Sequence, residues 1–398
     1  MTAALPIWTC PYCPLLCDRF TLEAGLTLRG STCAVAEGGL GHARAAPGTP
    51  QVAGQPVTLD AALAAAADLL RASRQPLLAG MGTDVAGARA LHRLARSSGA
   101  QTDALNGPAL MQAVRSQQDK GGYTTTLAEI HERADLIVLV GSWPLARAPE
   151  LLNRLRRDGG SLPPLRLLGE RAEGVTGVAA EADVPASLAE LCAHVAGRSV
   201  RTATPELAAL AAELRAARYA VLIWEPAQLG PQAALVIERA QHLVGLLNQT
   251  TRAGGFVLGA GEGASTANQV FLWLDSLPLR TRRTALGLEH EPHLGAAERV
   301  LAGGAADLLL WVAQWQPRTP PAGWRGPTIA LGLPALGAAA GFVPDVFVPL
   351  AIPGIDVAGH LFRSDGVVLL PLHAQRESAL PTLAQVAERL AAALEAQP

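Results

Sequence analysis

The segment Asp135-Leu-Ile-Val-Leu-Val-Gly141 decides the fold class of this chain. Its central residues are all apolar, and no polar residue alternates with them. A strand of that kind is typical of a parallel sheet with helices on both faces, because a half-exposed strand alternates between polar and apolar residues. The segment therefore predicts an α/β protein.

Similar apolar strands recur along the chain, each separated from the next by a helical pattern. They lie at 76–80, 165–168, 220–224, 308–312 and 328–331. This alternation predicts two Rossmann-like, doubly wound domains, and 398 residues are enough to build them. The predicted boundaries are 1–50 for a small cysteine-rich β segment, 51–200 and 201–335 for the two α/β domains, and 336–398 for a C-terminal segment that packs back on the body.

Charge and hydropathy exclude two classes of partner. The net charge is −2 with no run of basic residues, whereas nucleic-acid binding needs concentrated Lys and Arg. The small cluster Arg280, Arg282 and Arg283 fits a solvated turn or an anion contact. The apolar runs are far shorter than the ~20 residues that span a bilayer, and the N-terminus lacks a signal-peptide pattern. We therefore expect a cytoplasmic protein that binds neither nucleic acid nor membrane.

Four of the five cysteines lie near the start, in Cys10-Pro-Tyr-Cys13-Pro-Leu-Leu-Cys17 and at Cys33. Because disulfides are rare in the cytoplasm, clustered cysteines there predict metal ligands. Zinc sites usually combine two C-x2-C pairs, so three close cysteines and one distant one favour a [4Fe–4S] cluster. Two short alternating runs around Ala24-Gly25 predict a hairpin that returns Cys33 to the other three.

Four further candidates have a structural explanation beside the functional one. Cys192 lies in an apolar helical pattern, which favours a buried, inert thiol over a nucleophile. Gly80-Met-Gly82-Thr-Asp-Val-Ala-Gly87 lacks the G-x-G-x-x-G spacing, so a tight turn is favoured over dinucleotide binding. Glu289-His290-Glu291-Pro-His293 contains a proline and no helical spacing, which predicts a surface loop rather than a metal site. The polar segment 119–126 fits a site lining and a helix cap equally well.

Motifs in the same order resemble those of the molybdopterin- and tungstopterin-dependent oxidoreductases. The first cysteines, followed by Asp18, resemble the iron–sulfur segment of these enzymes, and more narrowly the chain is similar to the B subunit of formylmethanofuran dehydrogenase. The matching residues are 124–135 ending in Arg-Ala-Asp, Gly141-Ser-Trp-Pro144 with Pro149, Asn268-Gln269 with Trp273, and His360-Leu-Phe-Arg363-Ser-Asp365-Gly366-Val. The resemblance implies an iron–sulfur-type segment followed by two Rossmann-like domains, without the C-terminal barrel domain of that superfamily.

The departures from this family concern the pterin cofactor. In the dehydrogenase, a Cys or selenocysteine followed by His-Gly-Pro ligates the metal, and the matching segment here is Ala104-Leu105-Asn106-Gly107-Pro108. Leu105 has no lone pair to donate, and the amide of Asn106 cannot titrate near neutrality. The segment Gly259-Ala-Gly-Glu-Gly-Ala-Ser265 also lacks the histidine expected before Asn268. Leu105, Asn106 and Gly107 therefore mark a degenerate pterin site, and we expect molybdopterin and tungstopterin to be absent.

This pattern resembles the B-type component of the formyltransferase/hydrolase complex of aerobic methylotrophic bacteria. The resemblance implies a complex that moves a formyl group between tetrahydromethanopterin and a furan-type carrier and hydrolyses it to formate, in the one-carbon route from formaldehyde to formate. It assigns hydrolysis to an A-type subunit and formyl transfer to a D-type subunit. This chain would bind the C-type subunit directly and act as a scaffold without catalytic residues. Two alternatives stay open: an active molybdo- or tungstopterin dehydrogenase subunit, and an iron–sulfur electron-transfer or structural module.

Overall fold

The structure, a computed structural model, describes residues 7–141, 143–169, 176–179, 183–201 and 203–396, with the backbone alone for 143 and 176–179. Its chain divides into two compact units, each made of separate segments. Unit 1 comprises Met1–Gly107, Ala260–Arg363 and Leu369–Pro398, and unit 2 comprises Pro108–Gly259 and Ser364–Val368.

The regular elements alternate along the chain as the sequence predicts. The strands are β1 (Ile7–Trp8), β2 (Phe20–Glu23), β3 (Thr27–Arg29), β4 (Gln51–Val52), β5 (Gln55–Pro56), β6 (Pro76–Met81), β7 (Gln101–Ala104), β8 (Leu136–Val140), β9 (Leu165–Gly169), β10 (Thr176–Ala179), β11 (Tyr219–Trp224), β12 (Arg252–Val257), β13 (Thr281–Thr284), β14 (Gly287–His290), β15 (Leu308–Ala313), β16 (Thr328–Gly332), β17 (Val346–Pro349), β18 (Gly359–Phe362) and β19 (Leu369–Leu372). The α-helices are α1 (Ala34–Ala43), α2 (Leu59–Ala72), α3 (Val85–Ser98), α4 (Gly107–Lys120), α5 (Leu127–Arg133), α6 (Trp143–Arg147), α7 (Leu151–Leu155), α8 (Val184–Val195), α9 (Pro205–Ala216), α10 (Ala233–Leu247), α11 (Ala264–Asp275), α12 (Ala297–Ala302) and α13 (Leu383–Glu395). Short 3-10 turns cover Pro226–Gln228 and Pro334–Ala338.

Unit 1 is built on a sheet with the strand order β5-β4-β17-β16-β15-β6-β7. The strands from β17 to β7 are parallel, and β4 joins the edge of β17 antiparallel. Every residue of β6 and β15 is buried, as apolar strands between two helical layers require. The C-terminal helix α13 packs on α3 and α2 through residues at helical spacing, among them Leu383, Val386 and Leu390.

Unit 2 is built on a sheet with the order β10-β9-β8-β11-β12, in which all pairs are parallel. Strand β8, which holds the apolar residues 136–140, lies at its centre and is fully buried. Helices α8, α9 and α10 pack in one apolar core with β8 and β11. The chain runs from β8 outward to β9 and β10, then returns to β11 beside β8, so the strand order reverses between β8 and β11. The prediction of an α/β fold is confirmed.

The segments that make up the two units do not coincide with the domains predicted at 51–200 and 201–335. Strand β15, from the second predicted domain, pairs in parallel with β6 from the first. The segment 336–398 adds β17 to the same sheet and α13 to its helical layer. The physical reason is that a central apolar strand needs a hydrogen-bonding neighbour on each side, and β15 finds one neighbour in β6 and the other in β16.

The N-terminal segment forms a small antiparallel sheet in the order β1-β2-β3. Strands β2 and β3 pair around Ala24-Gly25, so the hairpin predicted there is confirmed. Within the described ranges, no helix combines the length and the apolar composition that crossing a bilayer requires.

Candidate functional site

The four N-terminal cysteines lie in one buried region of unit 1. Cys10, Cys13 and Cys17 belong to the loop between β1 and β2, and Cys33 immediately precedes α1. The backbone N–H of Cys10 donates to the carbonyl of Cys17 at 2.9 Å, which closes the loop on itself. All four side chains are buried and none forms a disulfide.

The electrostatic environment of the Cys10 thiol includes the other three cysteines. Burial raises the pKa of the Cys10 thiol well above its ordinary value, and the nearby sulfurs of Cys13, Cys17 and Cys33 raise it further. Within the described ranges, however, no group of three or more His, Cys, Asp or Glu side chains has the geometry to hold a metal ion. The sulfurs are therefore close enough to interact, but the side chains do not form a ready-made ligand set.

Polar side chains from the C-terminal part of unit 1 border this region. Arg376 forms an ion pair with the buried carboxylate of Asp356, with 2.6 Å between Nε and Oδ1, and also donates to the carbonyl of Ala43 at 2.9 Å. The Tyr12 hydroxyl is buried and has no hydrogen-bond partner in the described part of the chain, and its burial raises the pKa of Tyr12.

Four buried thiols sharing one region fit the donor chemistry of an iron–sulfur cluster, which binds cysteine thiolates.

The turn after β7 contains Leu105, Asn106 and Gly107, the three positions at which the sequence predicts a degenerate pterin site. Leu105 is half-buried, and its backbone N–H donates to the carbonyl of Met81 at 3.3 Å. Asn106 is exposed and adopts φ = 56°, and Gly107 begins α4. The turn therefore carries an aliphatic side chain at the position where the resemblance expects a metal ligand.

A second loop closes against the carboxyl end of β6. The carbonyl oxygen of Glu262 lies so near Gly82 that a Cβ atom there would be only 2.3 Å from it, and Leu105 Cδ2 would be 3.5 Å from the same Cβ. The Glu262 carboxylate is buried and bound by Arg318, whose Nε lies 3.1 Å from each carboxylate oxygen. Glycine at 82 therefore permits close packing of the chain on itself, in agreement with a tight turn.

Comparisons with known proteins agree with these observations. The Fhc B subunit of the formyltransferase/hydrolase complex of Methylorubrum extorquens is 33% identical to this chain, and the match covers 85% of this chain and 97% of the relative. The chain belongs to this family of B subunits. A chain of the crystal structure of the formyltransferase/hydrolase complex FhcABCD of Methylorubrum extorquens with methylofuran is 31% identical, with a TM-score of 0.79. That match covers 88% of this chain and 99% of the other. No family model matches the chain.

A buried ion pair supports the Leu105 turn in this member of the B-subunit family. Asp103 Oδ1 accepts from Arg280 Nε at 2.9 Å, and Asp103 also accepts from the backbone N–H groups of Ala104 and Ala297. A Cβ at Gly107 would lie 2.4 Å from Asp103 Oδ1, so the turn requires glycine. Burial raises the pKa of Asp103, while Arg280 acts in the opposite direction. The arginine cluster at 280–283 was a signal in the sequence, but its partner Asp103 was not predicted.

A second buried carboxylate that was not predicted lies in unit 2. Glu225 follows β11 at the carboxyl edge of the sheet, beside the point where the strand order reverses. Its Oε1 accepts from the backbone N–H of Ala227 at 3.1 Å, while Arg147 Nε is 3.9 Å from Oε2. Burial raises the pKa of Glu225 to about 7. A single polar residue directly after an apolar strand was the available signal.

Three other candidates from the sequence have structural positions. Cys192 is buried in α8, and burial raises its pKa to about 11, as expected for an inert thiol. In the segment 119–126, Thr126 caps α5 by accepting from the backbone N–H of Glu129 at 3.1 Å, which favours the capping interpretation. The segment 289–293 runs from the end of β14 into the following turn, and its residues are exposed or half-buried.

Two further residues of the family motifs, Asn268 and Trp273, make contacts that stabilise the fold. Asn268 Oδ1 accepts from the backbone N–H of Leu279 at 3.0 Å, which fixes the chain after α11. Trp273 packs edge-on against Phe362, with ring centroids 5.2 Å apart. Ser142, in the motif after β8, lies outside the described residues.

Proposed function

We propose that this chain is the redox-silent, scaffolding B subunit of a formyltransferase/hydrolase complex in one-carbon metabolism. Formyl transfer and hydrolysis take place on D-type and A-type subunits, and this chain binds a C-type subunit directly. The match to the Methylorubrum extorquens B subunit, with 97% of its length covered, supports this role.

One observation carries the redox-silent part of the proposal. Leu105 occupies the position of the metal ligand, where an aliphatic side chain offers no donor atom. The conformation of the turn is restricted by its neighbours. The backbone N–H of Leu105 donates to the Met81 carbonyl, and the Leu105 side chain lies against Gly82. Molybdopterin or tungstopterin would therefore lack its protein ligand, and oxidation of a formyl group is not proposed for this chain.

The four buried cysteines support a second, structural role. We propose that Cys10, Cys13, Cys17 and Cys33 hold a [4Fe–4S] cluster that stabilises the N-terminal segment. A cluster of that kind supplies folding energy by fixing its ligands, and its electron-transfer chemistry has no pterin metal to serve here. The clustered thiols support the ligand set, whereas the arrangement of the side chains would have to tighten around the cluster.

The experiment that tests the function uses the whole complex, purified through a tag on this chain. We expect formyl transfer and hydrolysis, with molybdenum and tungsten far below one atom per chain. In a second preparation, this chain is omitted and the tag is moved to the D-type subunit. Recovery of the A-type subunit with the D-type subunit should then fall, as the loss of a scaffold requires.

The rival interpretation, an active dehydrogenase subunit, predicts the opposite result in the first preparation. It requires stoichiometric molybdenum or tungsten together with formate-dependent reduction of an electron-accepting dye. That pair of results would overturn the redox-silent role, whereas iron with acid-labile sulfide and no such metal would support the structural cluster.

A further inference from the structure

Two buried polar atoms at the carboxyl edge of the unit 2 sheet have no hydrogen-bond partner among the described residues. One is Oε2 of Glu225, a side chain that is 4% exposed, and the other is Nη2 of Arg147 in α6. The Arg147 Nε lies 3.9 Å from Glu225 Oε2, which is too long for a hydrogen bond. Because a buried polar atom without a partner costs free energy, both atoms are suited to bind a further polar group.

A capping role explains only part of the Glu225 side chain. Its Oε1 accepts from the backbone N–H of Ala227 at 3.1 Å and so caps the 3-10 turn Pro226–Gln228. Such a cap uses one oxygen and does not require burial, whereas Glu225 is buried with its second oxygen on the side of Arg147. Burial raises the pKa of Glu225 to about 7, since Ala227 and Arg147 only partly compensate the carboxylate.

The position of this pair in the sheet is one at which α/β proteins bind ligands. Glu225 directly follows β11, and Arg147 belongs to the helix that follows β8. The two strands are parallel neighbours, and the strand order reverses between them. In doubly wound sheets, ligands bind in the crevice outside the carboxyl ends of the strands at this point of reversal.

An acid and an arginine at the corresponding point of unit 1 differ from this pair. The strand order of unit 1 reverses between β6 and β15, and the Glu262 loop packs against Gly82 directly after β6. There, Arg318 Nε donates to both carboxylate oxygens of Glu262 at 3.1 Å. The unit 1 pair is therefore satisfied within the chain, whereas Glu225 and Arg147 each keep an unpartnered atom.

We propose that Glu225 and Arg147 bind a neutral ligand with two adjacent hydroxyl groups, the cis diol of a sugar or polyol. One hydroxyl donates to Glu225 Oε2 and its neighbour accepts from Arg147 Nη2, because a hydroxyl can do both. Each of these hydrogen bonds has a charged partner in the protein, which makes it stronger than a neutral one. An anionic ligand would bring a second negative charge beside the ionised Glu225, which disfavours it. The site uses residues of this chain alone and does not depend on the proposed scaffolding role.

The test uses the purified full-length chain and a rigid diol as the probe. Binding of cis-1,2-cyclopentanediol is measured by saturation-transfer NMR, with the trans isomer as the control ligand. The trans isomer has the same composition, but its hydroxyls lie on opposite faces of the ring. We expect it to bind about fivefold more weakly or less, because one of the two protein groups then stays unpaired.

The pH dependence identifies the protonation state that binds. A hydroxyl donates to the ionised carboxylate, so binding should strengthen as Glu225 loses its proton around its pKa of about 7. Arg147 stays charged throughout, so we expect the affinity for the cis isomer to rise about tenfold or more between about pH 5.5 and about pH 8.5.

Two variants assign the binding to this pair. Arg147→Ala should weaken binding of the cis isomer about tenfold, because it removes a charged donor. Glu225→Gln should remove the pH dependence, since the amide accepts a hydrogen bond but does not titrate. Arg166→Ala is the matched control, because Arg166 is also in unit 2 and is 25% exposed, against 23% for Arg147, but is paired with Glu213 at 2.9 Å. We expect this control to bind within about twofold of wild type, and thermal unfolding checks the fold of every variant.

Each other outcome overturns the inference. No saturable binding of the cis isomer to the wild-type chain would mean that the pair is satisfied by water alone. Binding that persists in both Arg147→Ala and Glu225→Gln with its pH dependence intact would place the diol elsewhere on the chain. Binding that strengthens as the pH falls would show that the protonated carboxyl is the form that binds, which a diol on the ionised pair excludes.

Discussion

Two regions of unit 1 differ in how their residues compare with the sequence motifs of the molybdopterin- and tungstopterin-dependent oxidoreductases. The loop of Cys10, Cys13 and Cys17, with Cys33, keeps four buried thiols in one region. The turn at Leu105 has an aliphatic side chain where the resemblance expects a donor, and Leu105 lies beside Gly82, against which the Glu262 loop packs. Under the proposed function, the contrast means that cysteine ligands with a structural use persist where the pterin metal would have no ligand, because a bound cluster also contributes folding energy.

The largest expected effect is a change in the cysteine region of Cys10, Cys13, Cys17 and Cys33. Cys13→Ser should remove iron and acid-labile sulfide and lower the free energy of unfolding by on the order of 4 kcal/mol, since loss of a bound metal centre is among the most costly changes. Elemental analysis and chemical denaturation of the anaerobically purified complex measure both quantities.

Cys192→Ser is the matched control for that experiment, because Cys192 is equally buried but lies in α8 of unit 2. We expect iron and sulfide to be unchanged in this variant. If Cys13→Ser and Cys192→Ser had the same small effect and neither preparation contained iron, the cysteine region would be a packed set of thiols, and the contrast with the Leu105 turn would disappear.

Part of this comparison could be predicted from the sequence, and part could not. The apolar segment 136–140 indicated the fold class, because its composition depends only on burial of both faces. The absence of a donor at Leu105 was inferred from the resemblance to the dehydrogenase, and the degenerate pterin site stays a prediction. The partners of Glu262 and Asp103 could not be predicted, because Arg318 and Arg280 lie 56 and 177 residues away and meet them only through the sheet topology.

The second effect concerns the ion pair of Glu262 and Arg318, in the loop that packs against Gly82. Arg318→Ala should lower the free energy of unfolding by about 3 kcal/mol, because it leaves the Glu262 carboxylate buried without its partner. Glu262→Gln should cost only about 1 kcal/mol, since the amide still accepts a hydrogen bond and the half-exposed Arg318 can turn to water. Denaturant titration of both variants and the double variant measures the asymmetry; equal costs would mean that the carboxylate is not truly desolvated.

A third effect concerns Glu225 in unit 2, a buried carboxylate whose ion-pair partner Arg147 is 3.9 Å away. Burial raises the pKa of Glu225 from 4.5 to about 7. Because the pKa is higher in the folded state, the protonated form stabilises the fold at low pH, and this stability is lost as pH rises from 4.5 to about 7. Glu225→Gln should therefore raise the free energy of unfolding at pH 8 by up to about 3 kcal/mol, and have almost no effect near pH 4.

The measurement for Glu225 is a pair of denaturation series across this pH range. Glu190→Gln is a control with the opposite sign, because hydrogen bonds from Thr204 and His194 outweigh desolvation and lower the pKa of Glu190. That variant should lose stability at neutral pH. A Glu225→Gln profile parallel to wild type would show that Arg147, 3.9 Å away, already compensates the carboxylate.

The smallest expected effect is at Leu105 itself, and it tests whether the missing ligand alone accounts for the redox-silent state. Leu105 is only half-buried, so Leu105→Cys should change the free energy of unfolding by about 1 kcal/mol or less. The variant complex should still contain no molybdenum or tungsten, because the Glu262 loop continues to pack against Gly82 beside the new thiol. Elemental analysis of the complex purified from cells grown with both metals decides the point. Metal uptake in the variant would mean that one side chain separates the two kinds of subunit, whereas continued absence would show that the surrounding loops have closed the site as a whole.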